Sequence, residues 1–71
     1  MNTDEIVKNL TNDVKNNKEL LQAIANFVCC RDDVTDVEFV ECVSSYDAEG
    51  KKRVMLILDI ENERIAIEFK F

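Results

Sequence analysis

Three cysteines and seven carboxylates fall between residues 29 and 49, so this stretch is where the chain has the atoms to do chemistry. A nucleophilic thiol needs a neighbouring base or a cluster of cations to hold the thiolate. The chain has no histidine, and the base beside Cys29 and Cys30 is Arg31, which Asp32 and Asp33 oppose. A zinc site would need all three cysteines plus a carboxylate, and no C-x-x-C spacing exists to begin one. Calcium is poorly served too: "DDVTDVE" lacks the glycine and the terminal bidentate glutamate of an EF-hand loop. Carboxylates alone can transfer protons, but the sequence pairs none of them with an apolar pocket. Without a glycine-rich phosphate loop or a serine nucleophile motif, the expectation is a non-enzymatic chain with no catalytic residues, metal or cofactor.

The elements that carry these residues can be read from periodicity. Val7, Leu10, Val14, Leu21, Ile24 and Val28 recur at helical spacing, with Asn2 or Thr3 as cap and Asp4 and Glu5 in the first turn, where the helix dipole favours acids. An unbroken helix from residue 3 to 28 would run about 39 Å, whereas a strand of eight residues covers about 27 Å. Asn16 and Asn17 interrupt the pattern, and Asn16 stands three residues before Glu19, as a fresh cap would. Two short helices are therefore favoured over one kinked helix. After Asp33 the period becomes two, in "TDVEFVECVSSY", "KRVMLILDI" and "RIAIEFKF".

Between these strands, "DAEGKK" suits a type I turn at Ala48 and Glu49, closed by Gly50 at positive φ. "ENER" suits a two-residue loop at Asn62 and Glu63. These turns make a three-stranded antiparallel meander in the order 1-2-3. They set Ile60 opposite Ile65, Leu58 opposite Ile67, Leu56 opposite Phe69 and Val54 opposite Phe71, with Cys42 facing Leu56 and Val40 facing Leu58. All these pairs are apolar, so the helices must pack on that face. The expected fold is a single α+β domain over residues 1–71. At this length a chain buries only about 60% of the surface its unfolded form exposes, and oligomerisation is the remaining source of stability.

Cys42 falls on the core face and reads as a small buried hydrophobe. The acids read differently. Asp32, Asp33, Asp36, Glu38, Glu41, Asp47 and Glu49 occur with no lysine or arginine among them, while the rest of the chain has eight acids against nine bases. The net charge of −6 is thus expected along the first strand, an edge of the meander, either as a solvated, aggregation-resistant edge or as a negative track for a basic partner. On the face opposite the helices the same register gathers Phe39, Val43, Met55, Ile57 and Ala66, an apolar centre with a charged rim. That face, or the free edge of the third strand, could also join a second copy.

The longest apolar run, Val54 to Leu58, is far short of the roughly 20 residues that cross a bilayer. "MNTDEIVKNL" has no basic region leading into an apolar run, and the cysteines are odd in number, so a reduced, cytoplasmic protein without membrane contact is expected. Direct binding to nucleic acid is disfavoured by charge. In size, acidity and compactness the chain is similar to small phage-encoded inhibitors that block restriction or CRISPR enzymes by resembling DNA, which implies a DNA-mimic inhibitor. The expected function is binding and modulating a basic protein partner; the alternative is a structural homodimer with no mimicry.

Overall fold

The computed structural model describes residues 2–70. Helices α1 (Thr3–Asn16) and α2 (Lys18–Cys29) pack on one face of an antiparallel sheet of β1 (Val37–Tyr46), β2 (Lys52–Ile60) and β3 (Glu63–Lys70), in the order β1-β2-β3. This is the α+β meander expected from the periodicity. Among the described residues no helix is long and apolar enough to cross a membrane.

Asn2 caps α1, its Oδ1 accepting from the Glu5 N–H at 2.8 Å. The helical break falls one residue later than the cap spacing suggested. Asn17, at φ −130°, leaves the helix, and its Oδ1 accepts from the Leu20 N–H at 3.1 Å. Asn16 stays within α1, its side-chain amide donating to the Asn12 carbonyl. α2 closes with two bonds, Cys30 N–H to the Phe27 carbonyl and Arg31 N–H to the Asn26 carbonyl, the Schellman pattern that satisfies the last free carbonyls.

The first hairpin is built as read. Gly50 has φ 81° and its N–H donates to the Asp47 carbonyl. The second hairpin differs. Its central residues are Glu61 and Asn62, at φ 49° and 70°, so Leu58 faces Ile65, Leu56 faces Ile67 and Val54 faces Phe69. A two-residue turn of this type needs positive φ at both positions, which Asn62 tolerates. Glu61 is anchored there by its N–H on the Asp36 carbonyl and its carboxylate 2.7 Å from Arg31. Because the displacement is two residues, the same side chains face the helices. The expected partner of Val54, Phe71, lies outside the described residues.

β1 carries the larger correction. Its pairing with β2 passes from Phe39 opposite Leu58 directly to Glu41 opposite Ile57, leaving Val40 unpaired in a β-bulge. One extra residue flips the alternation. Val37 and Phe39 therefore pack against the core, whereas strict alternation had set Phe39 on the open face and Val40 inside. The core is Val14, Leu21, Ala25, Val34, Cys42, Val54, Leu56, Leu58 and Ile60. The helices lie over β1 and β2, so β3 is less covered: Ile65 and Ile67 are half-buried and Phe69 is exposed.

Candidate interaction surface

The thiols divide as their positions dictate. Cys42 is buried, Cys29 half-buried and Cys30 exposed. Burial pushes the Cys42 thiol pKa up, and a hydrogen bond with Thr11 offsets this only in part. Cys42 is a core residue. Among the described residues no three cysteine or carboxylate side chains lie close enough together to hold a metal ion.

The face of the sheet away from the helices is set out in four rows by the pairing: Glu38, Asp59 and Arg64; Glu41, Ile57 and Ala66; Val43, Met55 and Glu68; Ser45, Arg53 and Lys70. Val43, Met55, Ile57 and Ala66 thus form the apolar centre, now without Phe39. The bulge also brings Glu38 and Glu41, three residues apart in sequence, onto this one face. Glu38 lies directly opposite Asp59, a like-charge pair that costs stability. Arg64 relieves it with a forked contact to Asp59, Nε to Oδ1 at 3.0 Å and a second nitrogen to Oδ2 at 3.2 Å. The contact holds the Asp59 carboxyl below its ordinary range and raises the Arg64 guanidinium, with Glu41 adding to the field on Arg64.

Asp32, Asp33 and Asp36 gather at the same end, because Asp36 is tied to the β2–β3 turn through the Glu61 N–H. Arg31 lies between Asp33, at 2.9 Å, and Glu61, at 2.7 Å. Asp47 and Glu49 are not part of this group. They sit beyond the far end of β1, about 30 Å from Glu38 at roughly 3.3 Å per residue. Asp47 also has a structural task, its Oδ1 accepting from the Glu49 and Lys51 N–H groups at 2.9 Å each. The acids therefore mark one end of the molecule and not the length of the β1 edge.

Three carboxylates that linear counting missed, Asp59, Glu61 and Glu63, join Asp32, Asp33, Asp36, Glu38 and Glu41 there. Eight carboxylates thus stand with two guanidiniums, Arg31 and Arg64, and with Lys15 and Lys18 from the α1–α2 junction, which line a pocket together with Asp36 and Glu38. Eight carboxylates against four cations leave the end that holds the β2–β3 turn with the larger share of the chain's net charge of −6. Only strand pairing shows this, since Asp59, Glu61 and Glu63 lie more than twenty residues beyond Asp36. One sign of the bulge was legible: plain alternation would have put Glu38 on the core face beside Val40 and Cys42. Neither a protein-family model, nor a curated protein, nor a solved structure matches the chain.

Proposed function

We propose that this chain is a small, acidic, non-enzymatic interaction protein that binds and modulates a protein partner with a basic surface, offering it a negative field like that of a nucleic acid. One observation carries the reading: eight carboxylates collect at one end against four cations, next to an apolar patch on a bare sheet face. A concentrated field of one sign speeds encounter with an opposite surface, and a desolvated apolar patch beside it supplies contact. Asp36, Glu38 and Glu41 carry the electrostatic part; Met55 and Ile57 carry the apolar part. The reducing cytoplasm suits three unpaired cysteines, one of them exposed.

An oligo-arginine peptide tests the reading by amide chemical-shift mapping at low and physiological salt. Shifts concentrated at Asp36, Glu38, Glu41 and Asp59, and abolished in D36N/E38Q/E41Q, are the expected result. Equal shifts at the helical acids Asp13 and Glu19 would show only general attraction to an acidic protein, and would overturn it.

A further inference from the structure

The two edges of the sheet are built differently. β1 is interrupted at Val40 and flanked by Glu38 and Glu41, features that discourage another strand from pairing. β3 matches β2 over eight consecutive pairs, from Glu63 opposite Ile60 to Lys70 opposite Arg53, with no shift of register. It contains no proline or glycine. Its backbone groups alternate in direction. Glu63 flanks the two-residue turn and so exchanges both hydrogen bonds with Ile60. Counting on in twos, Ile65, Ile67 and Phe69 bond to β2, while Arg64, Ala66 and Glu68 turn their N–H and C=O groups outward.

We propose that this open edge binds a second copy of the chain, β3 against β3, antiparallel about a two-fold axis at Ala66. Charge complementarity selects both the occupant and the register. With Ala66 opposite its counterpart, Arg64 faces Glu68 of the second copy, and the symmetry repeats the pair. Across the open face the side chains then run Asp59, Arg64, then Glu68 and Arg53 of the second copy, alternating in sign. The outer links already exist in a single chain, Arg64 to Asp59 at 3.0 Å and Arg53 to Glu68 at 3.4 Å; the central link is new. On the helix face Ile65 meets Ile67 of the second copy. A two-fold axis at Ile67 would set Arg64 against Lys70, and one at Ile65 would set Ile67 against Glu63. The antiparallel arrangement also carries the two acidic ends to opposite extremes of the joined sheet.

The helix face supplies a second argument. Ala23, Ile24, Phe27 and Val28 of α2, with Ile67 and Phe69 of β3, line an apolar groove of about 310 Å³, and Phe27 is 85% exposed. A helix apolar beyond its packed face wants further cover. The added strand continues the groove floor with its own Ile65 and Ile67, leaving the two α2 helices as walls around four isoleucines. Because β1 is ill-suited to pairing, the assembly closes at two copies and does not extend into a fibre.

The test uses the full chain. Sedimentation equilibrium over about a hundredfold range of concentration should show a monomer–dimer equilibrium. R64E should weaken it by about tenfold or more, since both symmetric pairs turn repulsive, and R64E/E68R should recover part of that loss, because the exchange mends the central pair but not the links to Asp59 and Arg53. Amide exchange on the native chain reads the same edge without mutation: the Arg64, Ala66 and Glu68 amides should slow about tenfold as the dimer forms. A chain that stays monomeric with those amides exchanging freely overturns the proposal, as does a dimer indifferent to R64E. Because Arg64 also bonds to Asp59 of the acidic end, the exchange measurement on the native chain is the readout that leaves that end unaltered.

Discussion

Cys30 holds φ 54° and ψ 36°, the left-handed position of the Schellman motif that glycine usually occupies. A side chain there costs roughly 1 kcal/mol in steric strain, so its presence makes the end of α2 less stable than it could be. Cys30→Gly removes the strain and partly returns it as unfolded-state entropy, for an expected gain of about 0.5 kcal/mol. Urea denaturation checks this, and a loss of stability would mean that the Cys30 side chain makes a contribution beyond the cap. The same substitution removes the exposed thiol, leaving the half-buried Cys29 and the buried Cys42. The placement of Cys42 was legible because its partner, Leu56, lies on the Gly50-closed side of the bulge, where local turn chemistry alone sets the register. Cys30 was less so: the helical spacing runs out at Val28, but the left-handed backbone of Cys30 is a property of the cap, which no periodicity reports.

At the scale of elements, the bulge in β1 decides what each side chain of that strand does. It turns Phe39 inward over Leu58 and frees Glu38 for the open face. Phe39→Ala should therefore cost about 2 kcal/mol, less than a fully buried phenylalanine because Phe39 is only half-buried. Met55→Ala, on the bare face, should cost under about 1 kcal/mol. Denaturation midpoints for the two variants separate the bulged strand from a regular one, which would reverse their order. Most of the architecture could be read beforehand, because helical and strand periods, Gly50 and the asparagines all act locally. The bulge could not be dated to a residue in the same way. Bulges arise when two strands of unequal path length must keep both ends in register, and here β1 is held at one end by the Asp47 turn and at the other by the Asp36–Glu61 bond. The slip of the second turn by one residue, which shifts the register by two, escaped for a related reason: tertiary anchoring of Glu61 by Arg31 outweighs the local preference of Asn for one turn position over the next.

For the whole molecule, the placement of charge raises a question of cost. Eight carboxylates at one end, with Arg31, Arg64, Lys15 and Lys18 as the cations beside them, repel one another in the folded state more than in an extended chain, where they lie farther apart. Solubility alone does not call for this, since −6 spread evenly would serve as well with less repulsion. The cluster is therefore expected to lower stability, as surfaces kept for a partner often do. Added salt screens exposed charges beyond about 10 Å at 0.1 M, so the denaturation midpoint should rise with sodium chloride. D36N/E38Q/E41Q should be more stable than the parent at low salt, by about 1 kcal/mol, with the gap closing as salt is added. A variant less stable than the parent at every salt concentration would mean that these acids support the fold through contacts of their own, and the charge would then need no partner to explain it. A variant that gains stability would leave the acidic end as something the folded chain maintains against its own interest, which is the expectation for a surface whose favourable partner is another molecule.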